Sequence, residues 1–130
     1  MTILHASRLT SCSVAADGTG VAIGVADEEG REGALMLLTE CLKALIMTLP
    51  DMMRRALRLQ YRDPSLRVVY PVASWEVELS SEPGTFILTL RTSDNFHVSF
   101  ALAAGDLHDM AEAAPTAGIH AAPVASVDAR

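Results

Sequence analysis

The side chains best suited to chemistry in this sequence are four histidines, two cysteines and one concentration of arginines. Asp106, His108 and Asp109 bring carboxylates and an imidazole together, the ingredients of a metal site or an acid–base pair. Neighbouring positions on a helix splay by about 100°, so these three do not converge on one ion unaided. They read instead as acids stabilised at the positive end of a helix, with His108 exposed. His97 falls on the outward phase of a strand and reads as a solvated or interface side chain rather than a general base. His5 and His120 lie near the two ends, where preorganised catalysis is not expected. Cys41 sits near a helix start, yet no partner histidine can be placed beside it. Cys12 belongs to no CxxC or Cys/His cluster. Both thiols read as small core residues. No GxSxG elbow, phosphate-binding loop or GxGxxG run is present. The sequence thus implies no metal, no cofactor and no catalytic residue, and reads as a non-enzyme.

Arg54, Arg55, Arg58, Arg62 and Arg67 make up half of the 10 lysines and arginines. Clustered in this way they form a strip able to meet phosphates or an acidic partner. The 16 acidic residues set the formal net charge at −6, which excludes a general polyphosphate binder. The plainer reading is a solvated face balancing Asp27, Glu28, Glu29 and Glu32.

Positioning these groups is a chain of 130 residues, half of them apolar, enough for one ordinary domain and too much for a disordered one. The N-terminus has no basic segment followed by a long apolar run, so a secretory leader is not expected. The most apolar window, 33–50, contains Glu40 and Lys43 and ends at Pro50, short of a bilayer span. A cytoplasmic location is expected. Residues 115–130, rich in Ala and Pro, read as a disordered tail behind a single domain, 1–114.

Within that domain, turn-forming clusters at Asp17-Gly18, Glu29-Gly30, Asp63-Pro64, Glu82-Pro83-Gly84 and Asp94-Asn95 punctuate strand-like runs. Trp75, Val77 and Leu79 alternate with Glu76, Glu78 and Ser80. Phe86, Leu88 and Leu90 continue the pattern, as do Phe96, Val98, Phe100 and Leu102. This predicts three antiparallel strands with one buried face. Leu107, Met110, Ala111 and Ala114 then form the stripe of a short helix.

The first half has the same order, with runs near 9–15, 20–26 and 33–38 and a helical stripe at Leu42, Leu45, Ile46 and Leu49. Adding 65 to each stripe position gives the second set, and Pro50 maps onto Pro115. Residue identity lends little, since only Leu37/Leu102, Leu42/Leu107 and Pro50/Pro115 coincide. The repeat rests on punctuation and period. The expected architecture is α+β: tandem βββα units, or ββββα with extra strands at 2–6 and 67–72, over about 2–50 and 67–114. Curled antiparallel sheets would carry the helices on one face. A helical linker, 51–66, joins the halves, its helix starting at Thr48-Leu49-Pro50-Asp51 and carrying Met52, Met53, Ala56 and Leu57 on one side.

In element order alone, this arrangement resembles the paired β4-α repeats of the Whirly and PUR-type single-strand nucleic-acid binders. The resemblance implies a sheet surface that binds single-stranded DNA or RNA. Such surfaces need outward aromatics and basic side chains. Here Trp75, Phe86, Phe96 and Phe100 fall in the inward phase, and the outward phase is mixed in charge.

The outward phase of the first sheet includes Ala22, Gly24, Ala34, Met36 and Leu38 and carries no charge. Such a face is expected to be covered, and with the Met52/Met53 helix it forms the candidate interface of a homodimer. The function expected is a small non-enzymatic binding or assembly module acting as a homodimer, with a protein partner open to it. Two alternatives stand beside it. One is a single-stranded nucleic-acid binder using the arginine strip, and the other is a small-molecule-binding domain or weak enzyme.

Overall fold

The computed structural model describes residues 1–118 and 121–127. The fold is α+β, with antiparallel sheets and two helices. The chain divides into two compact units, Met1–Met53 and Arg54–Arg130.

In the first unit, β1 (Arg8–Val14), β2 (Gly20–Ala26) and β3 (Glu32–Leu38) form a meander in the order β1-β2-β3. Val, Ile and Leu at alternate positions favour the pleated surface, and the intervening turns carry the residues such turns demand. Gly18 and Gly30 have φ of 74° and 82°, left-handed values that a side chain disfavours. A bulge at Thr10 shifts the β1–β2 register between Leu9 and Ser11. Residues 2–6 do not form the expected fourth strand. Leu4 instead lays its side chain over Gly33, so closely that a Cβ there would come within 2.8 Å of the Leu4 Cδ2.

The second unit contains another antiparallel meander, β5 (Ser74–Leu79), β6 (Thr85–Arg91) and β7 (His97–Ala103). The β2–β3 pairs, from Gly20↔Leu38 to Ala26↔Glu32, become the β6–β7 pairs, from Thr85↔Ala103 to Arg91↔His97, when 65 is added to each number. Loop hydrogen bonds follow the same offset. Asp27 N–H donates to the Arg31 carbonyl at 3.0 Å, and Thr92 N–H to the Phe96 carbonyl at 2.8 Å. Asn95, with φ of 69°, stands where Gly30 stands in the first loop. Phe96 lies just outside β7, its ring 5.2 Å from that of Tyr70. The other expected extra strand, 67–72, is realised only as β4 (Arg67–Val69), which joins neither meander. It pairs in parallel with β8 (Val124–Ser126), so part of the segment expected to be a disordered tail forms a strand.

Helix α1 (Thr39–Gln60) follows β3 directly, and α2 (Ala104–Ala113) follows β7 directly. The helix break expected near Thr48–Asp51 does not occur. Pro50 lies inside α1, and the Thr48 hydroxyl donates to the Ala44 carbonyl at 2.7 Å instead of capping a new helix. Proline removes one N–H from the ladder, but the apolar stripe continues past Pro50, which flanks it, about 40° around the helix from Ile46. Neither helix buries a residue, so the expected packing of helix on sheet is not made by α1 or α2. Among the described residues Ala26, Leu37 and Leu66 are the buried apolar ones, and no large side chain is fully enclosed.

Two glycines test this backbone reading. Gly30→Ala forces a side chain into the left-handed region and is expected to cost about 1–2 kcal/mol. Gly105→Ala meets open space in α2 and is expected to gain roughly 0.5–1 kcal/mol. Urea unfolding midpoints of the two variants should move in opposite directions.

Candidate functional site

Directly paired strand residues share a face of the sheet. In the second meander, three rows therefore stack on one side: Trp75/Leu90/Val98, Val77/Leu88/Phe100 and Leu79/Phe86/Leu102. Every member is apolar. The sequence pattern marks this face as a buried core, yet Trp75 is 70% exposed, Leu79 80% and Phe100 50%. The opposite side carries Glu76, Glu78, Arg91 and His97, with Thr89 buried and sharing a 2.7 Å hydrogen bond with the Ser99 hydroxyl.

The first meander has the same two-sided character. Val14/Val21/Leu37, Cys12/Ile23/Leu35 and Leu9/Val25/Gly33 occupy one face, and Val14 is 72% exposed. Cys12 and Cys41 are both exposed, against the expectation that each is a core residue, because the surfaces they belong to are open. On the other face lie the candidate interface residues, in the rows Ser13/Ala22/Met36 and Ser11/Gly24/Ala34, with Gly20 opposite Leu38. The Thr10 and Ser11 hydroxyls crowd Gly24, within 2.6 Å and 2.4 Å of where a Cβ would stand. Met36 and Leu38 remain the large exposed apolar groups there, and Met52 and Met53 are exposed on α1.

Three of the five strip arginines come together. Arg55, Arg58 and Arg62 line an open hollow with Leu59 and Pro64. Arg58 is tethered by its Nε, which donates to the Leu66 carbonyl at 2.8 Å, and Arg62 has a left-handed φ of 53°. Arg67 lies in β4 and donates from Nη1 to the Ser65 carbonyl at 3.0 Å. Arg54 lies on α1 and does not line the hollow. Two arginines thus serve the local backbone, which narrows what the strip offers an anionic partner.

The histidines are placed as follows among the described residues. His108 faces Glu112 at 3.2 Å one helical turn on, an ion pair when the imidazole is protonated. His97 Nδ1 is 3.2 Å from both Arg91 Nη1 and the Asn95 carbonyl. His120 lies outside the described residues. Among the described residues no three His, Cys, Asp or Glu side chains are placed to hold a metal ion. No helix among them is long and apolar enough to cross a membrane.

Asp27 is the most constrained carboxylate. Partial burial works against its ionisation, but Arg31 Nε at 2.7 Å and the Arg31 and Glu29 backbone N–H groups hold its pKa below the ordinary value. Comparison with protein-family models, with curated proteins and with solved structures found no match to this chain.

The depressed Asp27 pKa gives a stability contribution that is complete above the unfolded carboxylate value, about 4, and is lost as pH falls through the lower folded value. Asp27→Asn should lower the urea midpoint at neutral pH and flatten its decline below about pH 4. An unchanged acid slope would assign that decline to other groups.

Proposed function

We propose that this protein is a non-enzymatic binding and assembly module that works as a homodimer, and that 2–50 and 67–114 are two copies of one βββα unit. The observation that supports it is the row-by-row apolar face of β5–β7, with Trp75 70% exposed. Large contiguous apolar patches on folded chains mark association surfaces. A face three strands wide and six or seven residues long covers roughly 300 Å² in plan. Two such faces and the α1 stripe together reach the order of the ~800 Å² that each partner contributes to a standard interface. The common offset of pairing, turn and loop hydrogen bonds supports the repeat. Function then lies in what the assembled surface presents, rather than in bond making.

Light scattering coupled to size-exclusion chromatography should return twice the 13.9 kDa chain mass at low micromolar concentration, insensitive to salt because the contact is apolar. Phe100→Asp, at the edge of the β5–β7 face, should weaken the dimer at least tenfold, whereas Glu76→Lys on the opposite face should leave it intact. A wild-type monomer at every concentration overturns the reading. An assembly that dissociates steeply with salt would favour a charged contact through the arginine strip instead.

A further inference from the structure

The hollow at the end of α1 gathers positive charge that this acidic chain does not pair. Arg55, Arg58, Leu59, Arg62 and Pro64 line an open space of about 560 Å³, a size that takes a small organic molecule. Arg55, Arg58 and Leu59 are brought to it by their spacing of three and four along the last turns of α1. Asp63, the acid nearest in sequence, is engaged elsewhere: its Oδ1 accepts from the Ser65 N–H at 3.0 Å and from the Ser65 hydroxyl at 2.6 Å. Those bonds are the main cause of its lowered pKa, and the Arg58 charge is the smallest. Among the described residues no carboxylate forms an ion pair with Arg55, Arg58 or Arg62.

Nor do these side chains cap the helix end. The final carbonyls of α1 are met by backbone amides: Tyr61 N–H donates to Leu57 at 2.9 Å, Arg62 N–H to Leu59 at 3.3 Å and Asp63 N–H to Arg58 at 3.0 Å. The last two are the paired bonds of a Schellman cap, whose left-handed residue is ordinarily glycine. Arg62 fills that position with φ of 53°, although a Cβ disfavours it. The chain thus keeps a poorer cap than glycine would give and gains a guanidinium on the hollow, and a strained residue held at a lined hollow points to function. Arg58 is already oriented, since its Nε donates to the carbonyl of the buried Leu66 at 2.8 Å. That bond leaves the terminal Nη edge of the guanidinium for another acceptor.

We propose that this hollow binds a phosphate monoester, its phosphoryl oxygens held by Arg55, Arg58 and Arg62 and its organic body resting on Leu59 and Pro64. Three guanidiniums present more donors than the two oxygens of a carboxylate use well, whereas a phosphoryl group offers three oxygens and about two charges at neutral pH. Leu59, 81% exposed, and Pro64 supply an apolar wall that inorganic phosphate would leave uncovered. A single site of this kind is compatible with a net charge of −6, because its contacts are short and charges beyond about 10 Å are screened. The site lies within one chain and does not depend on the homodimer reading.

Isothermal titration calorimetry on the full-length chain would compare phenyl phosphate, benzoate and inorganic phosphate at low salt. Phenyl phosphate should bind more tightly than either of the others by about tenfold, and its affinity should fall as salt is added. Arg62→Gly is the diagnostic variant, because it removes a guanidinium while improving the helix cap. Its urea midpoint should rise as its affinity for phenyl phosphate falls about tenfold. Arg55→Gln should weaken binding by a similar factor, whereas Arg8→Gln, on β1, should leave it unchanged. Vesicles of phosphatidylcholine carrying phosphatidic acid separate a lipid headgroup from a free ester. Capture on them without any response to phenyl phosphate, lost in Arg62→Gly, would uphold the monoester site and place its ligand in a lipid. Benzoate binding as tightly as phenyl phosphate, an affinity unmoved in Arg62→Gly, or no binding of any probe or vesicle would overturn the proposal.

Discussion

The strand-to-helix junctions at Leu38–Thr39 and Ala103–Ala104 constrain this molecule more than any other feature. In each, the first helical N–H donates to the carbonyl of the residue just before the middle strand, Thr39 to Thr19 and Ala104 to Gly84. A helix tied in this way satisfies an otherwise orphaned donor. In both units the helix that follows the meander buries none of its residues.

The two meanders show how similar backbone solutions arise from different side chains. Gly30 meets a left-handed turn position by having no Cβ, while Asn95 meets it as one of the few side-chain-bearing residues that tolerate it. Asp27 organises its loop by accepting hydrogen bonds from Glu29 and Arg31, while Thr92 organises the corresponding loop by donating to the Phe96 carbonyl. The Asp27 carboxylate, its pKa held below the ordinary value, makes the first loop sensitive to acid.

Much of the fold was legible in the chain. The period-two alternation of Trp75–Leu79 and Phe86–Leu90 marked the strands and their apolar phase, and Asp17-Gly18 and Asp94-Asn95 marked turns. What alternation could not distinguish is a face covered by its own chain from one left open, because both require the same residues. The continuity of α1 was hidden by Pro50, whose effect depends on where it falls around the helix. The pairing of β4 with β8 was hidden by sequence distance.

The β4–β8 ladder also sets an order of events. Its three parallel pairs join residues 67–69 to 124–126, across the whole second meander. Closing a loop of that length costs roughly 3–4 kcal/mol of chain entropy, whereas a few backbone hydrogen bonds return about 1 kcal/mol each. The antiparallel hairpins on either side of Asp17-Gly18 and Glu82-Pro83-Gly84 close over a handful of residues and have no such handicap. The ladder is therefore the last contact to form and the first to open. Hydrogen exchange at Arg67 and Val127, whose amides bond across it to Pro123 and Val69, would run ahead of global unfolding.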